Sequence, residues 1–143
     1  MMLVKTYIAP SPIHGLGSFA AERIPAGAKY WEFVEGFDAL ILKSELPPQA
    51  QEFSKTWCHT IDNFVLVMPD DARFTNHADA PNTLVRGGEA IALLDIQPGE
   101  EITENYDQAE QALMAYFLGP ETPFGLSPHS PRRAVSLAAG RSR

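Results

Sequence analysis

Residues 73–82 read Arg73-Phe74-Thr75-Asn76-His77-Ala78-Asp79-Ala80-Pro81-Asn82, and residues 98–106 read Pro98-Gly99-Glu100-Glu101-Ile102-Thr103-Glu104-Asn105-Tyr106. Taken singly, each is a turn or loop. Asn76 and Asn82 carry side chains that bond nearby backbone, and Gly99 tolerates the positive φ of a tight turn after Pro98. His77 alone is a packed or surface histidine, and Tyr106 alone is a core tyrosine with its hydroxyl satisfied. A third segment lies upstream, Ile13-His14-Gly15-Leu16-Gly17-Ser18-Phe19-Ala20, followed by Ile24-Pro25-Ala26-Gly27. The order and spacing of the blocks carry more than any one of them, since a lone Gly-x-Gly is weak.

Around these blocks the chain reads as short strands broken by Gly and Pro. Strands are predicted over Leu3 to Ala9, Ser18 to Ala21, Tyr30 to Phe37, Asn63 to Met68 and Glu89 to Leu94, from their β-branched and aromatic content. One helix is predicted over Ser44 to Ser54, with Pro47 and Pro48 in the first turn, where no backbone donor is needed. A second is predicted over Gln108 to Leu118, where Ala109, Ala112, Leu113, Tyr116 and Phe117 recur at helical spacing. Gly119-Pro120 stops it. No solenoid-length repeat is present. The expected organisation is a domain over residues 1–119 and a mobile, Pro/Ser/Arg-rich tail over residues 120–143.

The chain has 143 residues and 12 prolines. That is one domain's length, and so many prolines disfavour a helical bundle, because each removes a backbone donor. The fold class read from the residues is mainly β with short helices. Cys58 is the single cysteine, which excludes an internal disulfide and a zinc site built of several thiolates. The same lack counts against reading Cys58-His59 as a metal or thiol pair. Met1 to Pro10 does not read as a signal peptide, and no run approaches the ~20 apolar residues of a membrane span. The expectation is a soluble, cytoplasmic protein that engages no membrane. Net charge is −7; the last 24 residues hold four arginines and one acid, leaving −10 on the remainder. An acidic body disfavours direct nucleic-acid binding. It either attracts a basic partner or serves solubility alone.

Together the three blocks resemble the SET domain of protein lysine methyltransferases, over roughly Lys5 to Leu118. The family's Arg-Phe-x-Asn-His segment with a following Pro-Asn is matched by Arg73, Phe74, Asn76, His77, Pro81 and Asn82. Its Gly-Glu-Glu-Leu-Thr-x-x-Tyr segment is matched by Gly99, Glu100, Glu101, Thr103 and Tyr106, with Ile102 in place of Leu. The resemblance implies a β-clip fold of several small sheets, with the Tyr106 segment threaded through a loop near Asn76. It implies S-adenosylmethionine as cofactor, held by His14, Gly15, Leu16, Gly17, Asn76 and His77, with Phe117 covering the adenine. It implies Tyr106 as the catalytic tyrosine and a lysine side chain of a protein or peptide as acceptor, with no metal required. A compact unit without the family's cysteine-rich zinc segment is also expected to form a homodimer.

Some positions depart from the family pattern. Ala78 and Asp79 replace the usual Ser and Cys. Phe33 stands where many members place a Tyr lining the lysine channel, which removes a hydroxyl. Glu104 stands in that channel where Phe or Tyr is usual, and its carboxylate either faces solvent or bonds an ammonium. These departures motivate a rival expectation, a catalytically weak or inactive module that binds a peptide or partner protein.

Overall fold

In the computed structural model, the structure describes residues 1–119, and the tail expected from residue 120 onward lies outside the described residues. The described residues form four small sheets and two α-helices. Strands β1 (Thr6–Pro10) and β2 (Leu16–Ala20) form an antiparallel hairpin, from Thr6 opposite Ala20 to Pro10 opposite Leu16. Strand β3 (Lys29–Glu32) pairs with β9 (Glu89–Ala92), which pairs with β8 (Thr83–Arg86), all antiparallel. Strand β4 (Ala39–Leu42) pairs with β6 (Phe64–Val67), which pairs with β5 (His59–Ile61), again antiparallel. Strands β7 (Asn76–His77) and β10 (Thr103–Glu104) are two residues each and pair in parallel.

The local chemistry explains these boundaries. Phe64, Val65 and Leu66 are buried in the middle strand of their sheet, so the apolar run there is continuous rather than alternating. The expected strand over Tyr30 to Phe37 stops at Glu32, because the chain turns and the Asp38 carboxylate accepts the Val34 N–H at 2.9 Å. Strand β8 is an element the residue reading missed. It is joined to β9 by Gly87-Gly88, with Gly87 at φ 58°, a two-residue turn that favours glycine.

Helix α1 (Pro48–Trp57) starts later than expected, since the residue before a proline resists the helical region and Lys43–Glu45 forms only a short 3-10 turn. Helix α2 (Tyr106–Leu118) starts earlier than expected, because Asn105 caps it by accepting the Gln108 N–H at 3.2 Å. Ala109, Leu113 and Phe117 are its buried stripe. They join Ile24, Ile96 and Ile102 in one core between the sheets. Among the described residues no helix is long and apolar enough to cross a membrane.

Candidate functional site

The β1–β2 hairpin, the β7–β10 pair and the start of α2 converge on one region. At the hairpin tip, Gly15 takes φ 45° and its carbonyl accepts the Ser11 N–H at 2.8 Å. The Ser11 hydroxyl accepts the Ile13 N–H at 2.9 Å and donates to the Glu101 carboxylate at 2.8 Å. Gly17 is a close-approach glycine, because a Cβ there would overlap Glu101 Oε1. Asn76 is buried, and its Nδ2 faces three acceptors: the carbonyls of His14 and Leu16, each at 3.1 Å, and Glu101 Oε1 at 2.8 Å. An amide nitrogen has two hydrogens. The corner therefore holds more acceptors than this donor can serve. His14, Gly15, Leu16, Gly17 and Asn76 are thus brought together in one corner. The His14 side chain is exposed, and its carbonyl is the group that takes part.

On the other side of the β7–β10 pair, the Ala78 N–H donates to the Glu104 carbonyl at 2.9 Å, and Tyr106 opens α2 directly after. The Tyr106 N–H donates to His77 Nδ1 at 3.1 Å. This places the imidazole proton on Nε2, which lies 3.1 Å from Asp79 Oδ1. Asp79, one of the departures, is fully exposed at that contact. The Tyr106 hydroxyl donates to the Thr75 carbonyl at 2.8 Å. Its ring stands edge-on to His59 at 5.4 Å and to His77 at 5.2 Å. Burial, then the nearby Glu104 charge, push its phenol up to about 12, so it keeps its proton at neutral pH. The segments of Asn76 and Tyr106 are in direct contact, as the threaded arrangement requires.

Glu104 does not face solvent. It is 6% exposed, and its Oε1 lies 2.8 Å from His59 Nε2. The other His59 nitrogen lies 3.7 Å from Glu110 Oε1. Burial pushes the imidazole down, but the charge and hydrogen bond of Glu104, followed by Glu110, override it and leave His59 pushed up to about 10. Burial and then Glu104 also push the Tyr30 phenol upward; its hydroxyl donates to Thr83 Oγ1 at 3.2 Å. Two cavities flank this cluster. The inner one, about 20 Å³, is bordered by Tyr30, Trp31, His59, Thr75 and Glu104. That volume fits one water, and the buried indole N–H of Trp31, which also borders it, has no hydrogen-bond partner among the described residues. The outer one, about 170 Å³, is bordered by Trp57, Cys58, His59, Thr75, Tyr106 and Glu110. Burial pushes the Cys58 thiol up, which makes it a poor nucleophile.

Two expected site residues fall elsewhere. Phe33 borders neither cavity; it packs edge-on against Phe117 with ring centroids 4.9 Å apart, and Tyr30 is the ring next to Glu104. Phe117 is fully buried in the core against Phe33 and Tyr116, so in this conformation its ring has no exposed face to cover a ligand. The residue reading missed His59, Thr75 and Tyr30 as parts of the site. His59 lies 45 positions from Glu104, and only the tertiary fold joins them.

A family model described as SET domain matches residues 15–107. No curated protein sequence matches the chain. Solved structures do. A Plasmodium falciparum chain described as a candidate histone methyltransferase matches with TM-score 0.53 and 23% identity, covering 73% of this chain and 95% of that one. A humanised mutant of the Chaetomium thermophilum Polycomb Repressive Complex 2 matches with TM-score 0.57 and 24% identity, covering 84% of this chain and 17% of that one. A second structure, of the Chaetomium thermophilum Polycomb Repressive Complex 2, gives TM-score 0.54 and 23% identity, covering 72% of this chain and 15% of that one. At these identities the likeness speaks to the fold.

Proposed function

Because this chain belongs to the SET-domain family, we propose that it is an S-adenosylmethionine-dependent protein lysine N-methyltransferase. The observation that supports this best is the placement of an acceptor-rich corner and a neutral phenol on either side of one two-residue strand pair. The residues at the corner fit the cofactor. The surplus acceptors around Asn76, from the His14 and Leu16 carbonyls and Glu101, suit an ammonium group. His14, Gly15, Leu16, Gly17, Asn76 and His77 would hold the molecule there. When bound, S-adenosylmethionine supplies an electrophilic methyl on a sulfonium.

The chain's own residues would do the rest. The Tyr106 O–H donates a hydrogen bond to the Thr75 carbonyl, which leaves the phenol oxygen's lone pairs to accept an N–H from an incoming amine. That orients the amine without consuming a proton. A free lysine amine has pKa ~10.4, so presenting it neutral at pH 7 costs about 4–5 kcal/mol. Apolar surroundings reduce that cost by disfavouring the ammonium. The chain's net charge of −7 favours approach of a lysine-rich segment.

A binding module without catalysis is the second reading, favoured by the buried Glu104–His59 pair. Calorimetry with S-adenosylmethionine, followed by a mass-shift assay on a pool of lysine-rich proteins, separates the two. The enzyme reading expects binding and transfer. Tyr106→Phe should keep cofactor affinity within about twofold and lower transfer at least ~100-fold, from lost alignment of the amine. Undiminished transfer by Tyr106→Phe would remove that tyrosine from the reaction. Cofactor binding with no methyl acceptor in the pool would favour the module.

A further inference from the structure

The buried charges beside Tyr106 bear on how the acceptor amine stays reactive, an inference that rests on the methyltransferase reading. Glu104 is two residues before Tyr106 and buried, and a carboxylate is costly there unless paired. Left bare, it would also act on an arriving amine. An opposite charge within ~4–6 Å favours the charged form and raises an amine's pKa by about 1–3 units. An ammonium has no lone pair to attack a methyl group. Some element must therefore cancel Glu104.

We propose that His59 is a positioning residue that pins and charge-balances the Glu104 carboxylate, so that an acceptor amine meets a neutral ion pair beside Tyr106 rather than a naked anion. The geometry is a 2.8 Å contact between His59 Nε2 and Glu104 Oε1, with the His59 side chain 11% exposed. Its ring edge meets the Tyr106 ring, so the two residues hold each other in place. From α2, Glu110 reinforces the imidazolium through Nδ1. From β3, Tyr30 borders the inner cavity with His59 and stays protonated. Cys58, the neighbour at the end of α1, has its thiol pushed up by burial and stays neutral too. Lys55 on α1 and Arg73 border the outer cavity and are exposed, so water screens both. The charges in contact with His59 are therefore Glu104 and Glu110, and both hold its proton.

The test uses the full chain with His59→Gln, Glu104→Gln and the double variant. Histidine-ring NMR titration comes first and needs no activity. In the wild type the His59 ring should remain an imidazolium past pH 8, and Glu104→Gln should lower its midpoint by at least about two units. A wild-type His59 that titrates near its ordinary 6.5, or a midpoint unmoved by Glu104→Gln, overturns the proposal even where His59→Gln does not fold. Methyl transfer to a pool of lysine-centred peptides is then followed from pH 6 to 10. His59→Gln should bind S-adenosylmethionine within about twofold of wild type, yet its acid limb should move up by about one unit, a tenfold loss at neutral pH. Adding Glu104→Gln should return the limb toward wild type. An unmoved limb, or no return in the double variant, overturns the role. Absence of transfer by the wild type sinks the methyltransferase reading and this role with it, whereas a failed titration sinks this role alone.

Discussion

Gly17→Ala should damage the chain through a residue 84 positions away. The φ of Gly17 is one that alanine adopts, so the conflict is steric. A Cβ at residue 17 would overlap Glu101 Oε1, and would lie 2.9 Å from the Glu101 carboxyl carbon and 3.1 Å from Ser11 Cβ. The carboxylate must withdraw. It then loses the Ser11 hydroxyl at 2.8 Å and the Asn76 amide at 2.8 Å. Hydrogen bonds to a charged group contribute about 1.5–3 kcal/mol each. Glu101 is only partly buried, so water recovers a share, and the expected destabilisation is about 2–4 kcal/mol. At about 4 °C per kcal/mol for a domain of this size, Tm should fall by roughly 8–16 °C. Thermal and urea unfolding of Gly17→Ala, Glu101→Ala and the double variant measure it. With Glu101 truncated the new methyl meets no carboxylate, so its cost should drop below about 1 kcal/mol, a coupling of at least ~1 kcal/mol. A Gly17→Ala chain that melts within about 2 °C of wild type, or that costs the same in both backgrounds, would refute the steric account.

Three further outcomes are expected. His59 is raised from 6.5 to about 10 on folding, so its contribution to stability is complete below pH 6.5 and lost as pH climbs through 10. The free energy of urea unfolding should decline across that window, by up to about 1.4 kcal/mol per pH unit, and should decline far less in His59→Gln, where the raised Cys58 thiol still adds a slope above pH 9. Asn82→Ala should cost about 2–3 kcal/mol in urea unfolding, because Asn82 accepts the Thr103 N–H at 2.9 Å and donates to the Glu101 carbonyl at 2.8 Å, and both backbone groups lose their partner. Ile102→Ala, at a fully buried position, should cost about 2–5 kcal/mol, and a loss under 1 kcal/mol would mean that the core collapses around it.

The residues announced the mainly β architecture through their turns, and the spacing of the three blocks identified the segments that meet. Gly15, Gly17, Asn76 and Tyr106 were legible because each stands in a block whose neighbours constrain it. Strand β4 was not, since Ala39–Leu42 is apolar without alternation and gives no period to read. Strand β8 had its signal in Gly87-Gly88, a two-residue hairpin turn that the reading passed over. The surroundings of Glu104 were closed to inspection for a different reason. Whether a carboxylate faces solvent or a buried imidazole depends on a contact between β10 and β5 that no local pattern encodes. Phe33 and Phe117 show the converse. The helix of Phe117 was expected and the strand of Phe33 stops one residue short of it, yet in both cases core packing decided where the ring points.

The corner that holds Asn76 also dictates when a newly made chain can become competent. Ser11 meets Glu101 across 90 positions and Asn76 meets His14 across 62, so the entropy of closing long loops must be overcome before either contact returns anything. During vectorial synthesis the early hairpin emerges without the carboxylate that fits against Gly17, and Asn76 emerges without β10 at its side. A ribosome paused anywhere before codon 101 displays a clasp with no tongue. The corner closes only once the chain through Glu101 is free, which makes its closure a late event.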